Sequence, residues 1–581
     1  MTAVATRPLA RATSLAELRA SGRLVVHVEG HTLCLFADGD EVYAVDNRCP
    51  HMGFPLHRGT LCDGILTCHW HHARFDLSTG GTFDQWADDL RRFPVEVRED
   101  DVLVDVSSLD DIVGHNRKRL RDGLERDIPL VLAKAALALT EADPAGVQTF
   151  CAGLDFGVAR RGGGWFRGLT TLTCLMNLLP RLDEADRPAA LYHGLADVAA
   201  DSAGGPPHFR LDPLPGQADQ SQLASWFRGF IEVRDAEGAE RALVSAARGG
   251  ASPLELADML FSAATDHRYL DGGHTLDFVN KALEALDVAG WERAEVVLAS
   301  LPAQLAGAER MEEANAWRNP VDLVALLDNA FRQLPDALSA GASIGGWMGR
   351  EALVDTVLGE DPEASIDALL TALRDGASEV ELASAVSFAA VIRIARFPTS
   401  NEFGDWDTAL HTFTFANAVE QGLRRSRSPE LLRGVFDAAM SIHLDRFLNV
   451  PPAKVPAPDP GADRDMLLEE LPRLLDRQQQ VAEAGQLVAS FLGAGGNPRR
   501  LIAAVGAALV REDRNFHTIQ CVEAAVRQHK LLAPGEVAGL PLIAAARYLA
   551  AHAATARSQR QTFEIARRLH RGERLYEDDA A

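Results

Sequence analysis

Cys49-Pro-His-Met-Gly-Phe-Pro-Leu56 and Cys68-His-Trp-His-His-Ala-Arg-Phe-Asp-Leu77 decide how this chain is read. They hold Cys-x-His, a gap of sixteen residues, and Cys-x-x-His. The flanking sequence reads as β. Arg23–Val28, His31–Phe36 and Glu41–Val45 are apolar-rich runs, the last two joined across Asp38-Gly-Asp. Gly64–Cys68, Ala73–Leu77, Phe93–Val97 and Val102–Val106 follow, with turn residues between them. Seven short strands punctuated in this way predict a small antiparallel sandwich. The two Cys/His loops are then carried on a rigid β frame.

Cys49 with His51 and Cys68 with His71 make two mixed pairs on two loops. Such pairs fit a [2Fe–2S] cluster in which one iron takes two thiolates and the other two imidazoles. A structural zinc site instead pairs like ligands, cysteine with cysteine and histidine with histidine. Neutral imidazoles leave less negative charge on the reduced cluster, so its potential lies at roughly −150 to +300 mV. Over residues 14–107 the sequence resembles Rieske ferredoxins and the Rieske domains of oxygenases, through the two quoted stretches and Gly80. The resemblance implies Cys49, His51, Cys68 and His71 as cluster ligands. Respiratory-complex Rieske proteins carry a further cysteine in each loop, and here Cys62 stands alone. His69 and His72 fall outside the ligand spacing and read as surface residues or as neighbours that tune the cluster.

From about residue 110 alanine and leucine dominate at helical spacing, as in Leu254–Ala264. The chain therefore reads as multidomain, a small antiparallel all-β domain followed by a large all-α domain with internal helical repeats. Asp235–His267 lies on Asp361–Arg393 without a gap, matching Arg248-Gly-Gly-Ala-Ser252 to Arg374-Asp-Gly-Ala-Ser378. His274-Thr-Leu-Asp-Phe-Val-Asn280 then matches His411-Thr-Phe-Thr-Phe-Ala-Asn417. A weaker third copy runs from Gly495-Gly-Asn-Pro498 to His517. The unit is helix, break, helix, then a helix headed by histidine. The expected divisions are a tail over 1–13, the β domain over 14–107 and a helical repeat domain over 110–449. A proline-rich extended linker over 450–461 and a C-terminal helical segment over 462–581 complete them.

A cluster of this kind moves single electrons, so the chain needs a second site if it is to do substrate chemistry. The usual mononuclear iron site, two histidines and a carboxylate at Asp-x2-His-x4–5-His spacing, is absent after residue 110. The repeats offer His274, His411 and His517 at equivalent places, and helical bundles build metal sites from such inward-facing side chains. His193, heading a helix before the first copy, and His267, equivalent to Arg393, are further candidates. Glu512 is an available carboxylate, and the acids of Asn401–Asp407 can orient ligands or cap a helix. Lone histidines on alanine-rich helices are more often hydrogen-bonded core residues, so repeat equivalence carries this expectation. Through Gly273-His-Thr-Leu-Asp-Phe278 and Leu410-His-Thr-Phe-Thr414 the helical part distantly resembles the questin-oxidase-like family. That resemblance implies an iron held by several histidines and a carboxylated lysine, and oxidation of polyketide-derived rings. Of the five lysines only Lys281 lies close to the histidine repeats, and it has no match to the family position.

Composition narrows the rest. The chain is 47% hydrophobic and carries a net charge of −24, which disfavours nucleic acid and anionic membrane as partners. No apolar run is long enough to span a bilayer, and the N-terminus lacks an export signal, so a cytoplasmic location is expected. No flavin or nicotinamide fingerprint is visible, so electrons must come from a separate NAD(P)H-dependent reductase or ferredoxin. The expected function is a Rieske-coupled non-heme iron oxygenase acting with O2 on an apolar, aromatic or polyketide-like small molecule. The alternatives are an electron-transfer protein whose helices dock a separate oxygenase, and a redox sensor. A homo-oligomer is compatible with all three.

Overall fold

The computed structural model describes residues 9–106, 111–160, 164–216, 218–426, 428–532 and 539–576. It divides into two compact units, Met1–Pro144 with Gln559–Ala581, and Ala145–Ser558.

Among its described residues the first unit holds ten short strands. They are β1 (Ala10–Ser14), β2 (Arg23–Val28), β3 (His31–Asp38), β4 (Glu41–Asp46) and β5 (Thr60–Cys62), then β6 (Ile65–Thr67), β7 (Arg74–Asp76), β8 (Arg92–Phe93), β9 (Val95–Arg98) and β10 (Asp101–Val104). They form three sheets, ordered β1-β10-β9, β2-β3-β4-β8 and β5-β6-β7. Every pairing is antiparallel. The sheet begins earlier than the expected boundary at residue 14, because β1 pairs with β10 from Ala10 onward. Two cores follow. One packs Val26, Leu33, Leu35, Val102 and Val104, and the other packs Phe36, Val45, Leu66, Phe75 and Leu77 around Cys49 and Cys68.

The helices Ile112–Arg126 and Pro129–Ala142, and Ser558–His570 from Gln559 onward, belong to this β unit, although their helical pattern placed them with the helical part. The reason lies in side chains that reach the β loops. Lys134 donates to the Pro50 and His51 carbonyls, at 2.6 Å each, and Arg48 donates to the Leu569 carbonyl at 3.2 Å.

The second unit is helical. Its two best-matched stretches fold alike. Asp235 and Asp361 each cap a thirteen-residue helix, and Ser252 and Ser378 each close a capping box on the next one. Residues 450–461 form neither helix nor strand, and they lie within the second unit rather than between two units. Pro456 and Pro458 lie against Gly485 and Gly493 of the helix Val481–Gly493, and Gln486 donates to the Ala457 carbonyl at 2.6 Å. Glycines there open a groove for the proline strap. Among the described residues no helix is long and apolar enough to cross a membrane.

Candidate metal centres

The first centre is built by the β4–β5 and β6–β7 loops. Gly53 turns the first loop at φ 80°, where a side chain would be strained, and its N–H closes on the Cys49 carbonyl at 2.8 Å. Cys68 N–H donates to the Ala73 carbonyl at 2.8 Å. These bonds bring all four expected residues together. The Cys49 and Cys68 thiols are hydrogen-bonded to each other, and the His51 and His71 rings lie 4.9 Å apart. Backbone N–H groups of His51 and Met52 point at the Cys49 sulfur, and those of Trp70 and His71 at the Cys68 sulfur. Such donors stabilise thiolate charge and raise a cluster's potential. Cys68 is held down to about 6, first by the Cys49 thiol and then, against burial, by the two backbone N–H groups. Burial and the neighbouring His71 and Lys134 charges push His51 down to about 4, so its imidazole is neutral at pH 7.

The donor set can be tested against a [2Fe–2S] group. His51 Nδ1 is buried and has no hydrogen-bond partner. A buried ring nitrogen without a partner costs free energy unless something else fills that position. Two adjacent thiols and two neutral imidazoles, one with an open nitrogen, fit the cluster. Trp70 and Trp86 pack on His71 and His51 at 4.3 and 4.7 Å between ring centres. His69 is instead engaged with Thr60, 2.6 Å from its hydroxyl. None of the seven cysteines is joined in a disulfide.

The second centre lies on three helices, His274–Ala289, Phe403–Arg425 and Phe516–Leu531. Gly273, at φ 97° and packed against Phe415 and Tyr269, lets the chain turn straight into the first of them. His274 is therefore a first-turn residue, and so is His517 behind its Asn515 cap. His411 differs from the expected pattern. A capping box between Glu402 and Asp405 starts its helix early, so His411 stands in the third turn. Ligand atoms of His274, His411 and His517 nonetheless lie within 4.8 Å of one another. The His411 and His517 Nε2 atoms are 3.0 Å apart, and His274 Nδ1 is buried without a hydrogen-bond partner. Burial and mutual repulsion push His274 to about 3 and His517 to about 4, and burial lowers His411. Three converging neutral imidazoles are a set of nitrogen donors ready for a divalent metal such as iron.

Asp407 stands one turn before His411 on the same helix. Its carboxylate is 3.6 Å from His517 Nδ1 and 3.5 Å from His552 Nε2, and it accepts from the Tyr548 hydroxyl. Burial opposes its charge, but His552, Tyr548 and His517 outweigh that and keep it ionised. The i, i+4 spacing of Asp407 and His411 was a usable signal. Tyr548 and His552 carried none, because only the fold brings them near. A cavity of ≈370 Å3 lies here, lined by Phe403, Asp407, Asp513, Arg514, Asn515, Thr518, His552 and Thr555.

Other expected donors are placed elsewhere. His267 lies between two carboxylates, 2.6 Å from Glu312 and 2.7 Å from Glu232, so its two nitrogens are engaged. Its break has no helix to aim it at the other imidazoles. Glu512 is fully buried, but it accepts from the Thr555 N–H and ion-pairs with Arg514 at 2.7 Å and with Arg557 at 3.2 Å. His193 is buried beside Tyr192 and does not share the mutual distance of the three histidines. It stands within Arg187–Ser202 rather than at its head, because Pro188 starts that helix early. Lys281 is paired at 2.7 Å with Glu523 and at 3.0 Å with Glu284. Burial works against its charge, but the two carboxylates hold it as an ammonium. Carboxylation requires a neutral amine, so Lys281 does not fit that role.

Comparison with known proteins agrees with the first centre. The Rieske [2Fe-2S] domain model matches residues 9–94. The naphthalene 1,2-dioxygenase system ferredoxin component of Pseudomonas aeruginosa is 32% identical over 97 residues, which are 16% of this chain and 93% of the ferredoxin. Human apoptosis-inducing factor 3 is 39% identical over 74 residues, and the chain spans only 12% of its length. The ferredoxin of carbazole 1,9a-dioxygenase from Nocardioides aromaticivorans IC177 shares 28% identity, with 16% of this chain and 95% of that one covered and a TM-score of 0.16. These matches cover the β domain. Through residues 9–94, with its paired Cys/His loops, the chain belongs to the Rieske [2Fe-2S] domain family.

Proposed function

We propose that this chain is an oxygenase that carries its own electron-transfer domain. Cys49, Cys68, His51 and His71 hold the [2Fe–2S] cluster, and His274, His411 and His517 hold an iron in the helical unit. The observation that carries the reading is the convergence of three half-buried, neutral imidazoles from three helices, one with a buried, unpartnered nitrogen. The iron would supply one-electron and O2 chemistry. The chain's residues do the rest. Asp407 orients the His517 ring and accepts from the Tyr548 hydroxyl, with the His552 ring 3.5 Å away, a set that can deliver a proton toward the ≈370 Å3 cavity. Phe278 and Phe516 flank His274, each 5.5 Å between ring centres. Aromatic walls beside a polar cavity suit a flat aromatic substrate bearing hydroxyl or carbonyl groups, a polyketide-like phenol or quinone. A separate reductase loads the cluster.

Iron and acid-labile sulfide per chain test this reading. About three irons with two sulfides are expected, since the cluster alone accounts for two of each. Two irons, unchanged after ferrous reconstitution under anaerobic conditions, would sink the second centre. That outcome favours the second reading, an electron carrier, which the ferredoxin relatives support.

A further inference from the structure

Behind the helical centre, His274–Ala289 and Phe516–Leu531 run side by side in register. The His274 and His517 rings lie 5.4 Å apart, one turn further on Gln520 Nε2 donates to Asp277, and the next contact joins Lys281 to Glu523 at 2.7 Å. Most of this polar column is paired. Lys281 and Arg527 each reach both Glu284 and Glu523, and Asn177 donates to the same two carboxylates. Asp277 is the exception. It is buried, its donor is the neutral Gln520 amide, and among the described residues no ion pair reaches it. Lys281, the cation four residues on, is spent on the two glutamates. Gln520 Oε1 is buried without a partner. A neutral carboxylic acid can do what a carboxylate cannot. Its O–H can donate to Gln520 Oε1 while Gln520 Nε2 donates back, the paired bonds of an acid with a primary amide. It also removes an unpaired charge from the interior. Burial pushes the Asp277 carboxyl up to about 7, with Glu284 and Glu523 adding to it and Lys281 and Gln520 opposing. The remaining neighbours are engaged or uncharged. Cys174 faces Asp277 from Arg167–Leu178 as a thiol that burial keeps protonated. On Phe403–Arg425, Glu420 pairs with Arg424 and Asp407 lies beside His517. Asp271 accepts from Thr275, and on the outer helices Asp155, Asp258 and Glu295 are taken by Arg293, Ser426 and Arg248.

We infer that Asp277 is the charge-compensating group of the helical centre, a neutral carboxylic acid that releases its proton to solvent when a divalent metal binds the three imidazoles. This rests on the reading of that centre as a metal site. A divalent ion among neutral ligands brings uncompensated positive charge into the interior. Asp277 stands three residues beyond His274, a spacing that puts Cβ atoms about 5–6 Å apart on a helix. Among the described residues no hydrogen bond or ion pair joins it to the imidazoles, so it acts through charge and not as a ligand. Nearby positive charge favours the carboxylate over the acid. The step balances: the Asp277 O–H bond breaks, its electron pair stays on the carboxylate, the proton goes to water, and nothing is oxidised or reduced. The metal then carries less net charge, which holds it at neutral pH and favours its higher oxidation state.

The test titrates ferrous ion anaerobically into the full-length protein, its cluster loaded and its helical centre depleted of metal. Calorimetry at pH 6.5 in buffers of different protonation enthalpy gives the protons released per metal bound. The unmodified protein is expected to release up to about one proton more than Asp277→Asn, and Asp277→Glu is expected to restore the release. By linkage, ferrous affinity then rises up to about tenfold more steeply per pH unit in the unmodified protein. A merely structural role would change affinity without changing the proton count. Far-ultraviolet circular dichroism confirms that the variants are folded. If Asp277→Asn does not fold, infrared difference spectra of the unmodified protein with isotope-labelled aspartate decide, and the carbonyl band of a neutral aspartic acid must disappear on ferrous addition. Equal proton release in the unmodified protein and Asp277→Asn, or a labelled band that ferrous ion leaves in place, overturns the inference while the metal site stands. No ferrous binding by the unmodified protein fails the earlier reading, and the compensating role falls with it.

Discussion

The two centres bring their donors together by opposite routes. The β-domain centre takes four side chains from two loops close in sequence, and backbone N–H groups point at both sulfurs. The helical centre takes one imidazole from each of three helices far apart in sequence, with a single carboxylate beside His517. Thiolates are anions and need donors built around them before they can be buried. Imidazoles need only burial, which removes the proton and leaves a neutral ligand. The loop centre is therefore specified locally, and the helical centre exists only once the whole unit has folded.

If the centres are independent, breaking one must leave the other. His411→Ala removes the imidazole nearest to both partners, 4.4 Å from the His274 ring and 3.0 Å from His517 Nε2. The expected result is complete loss of the helical iron and of turnover, with the Rieske absorption and circular dichroism unchanged. Metal analysis and spectroscopy on one sample check it. A variant that kept full activity would remove this site from the chemistry. A smaller effect is expected from Asp407→Asn, which keeps the size but not the charge behind His517. Such a partner is worth about ten- to a hundredfold in metal affinity, measured by ferrous titration of metal-depleted protein. The iron should still bind, more weakly.

The same contrast explains what could be read from the chain. Cys49-x-His51 and Cys68-x-x-His71 were legible because a loop fixes its ligands by spacing, and the strands around them show ordinary alternation. Ser252 and Ser378, read from the sequence only as repeat equivalents, close capping boxes that are equally local. His274, His411 and His517 were reached through repeat equivalence, which places residues in a copy but not in space. The same equivalence offered His267, whose position lies in a break and is held by Glu232 and Glu312. It could not show that Glu512 belongs to an arginine network, nor that His552 arrives beside Asp407. The change of texture at residue 110 was real, but packing ignores texture. Lys134, on an alanine-rich helix, is the side chain that ties that helix to the cluster loop.

Lys134 sharpens the comparison from the other side. Its ammonium sits over the carbonyls of Pro50 and His51, a cation beside the loop centre. Lys134→Met keeps the stem and removes the charge. The reduced cluster is the more negative form, so it loses more. The potential is expected to fall by some tens of millivolts, on the order of 1–2 kcal/mol at an effective dielectric of about 20 with partial screening. The measurement belongs at pH 6, because burial holds the amine down to about 7. The helical iron content should not move. A rise in potential would mean that the loop, and not the charge, had changed.

The smallest expected effect separates a ligand from a histidine that only looks like one. His274 and His517 are driven to their neutral forms, but His267 goes the other way. Burial works against its proton, and the carboxylates of Glu312 and Glu232 outweigh burial and raise it above the ordinary value. A group with its folded value raised contributes stability that is fully present below the unfolded value near 6.5 and is lost as pH rises through the folded value. His267→Ala should therefore cost stability at pH 5.5 and little at pH 8.5. The cost should be about 1 kcal/mol or less, since the Glu232 carboxylate is exposed to water. Urea midpoints of the two proteins at the two pH values read the difference. Iron content should be unchanged at both. Metal binding needs the neutral ring, so a true ligand would show the reverse pattern, with the gap between the proteins widening as pH rises. That reversal, together with loss of iron, would move His267 into the helical centre.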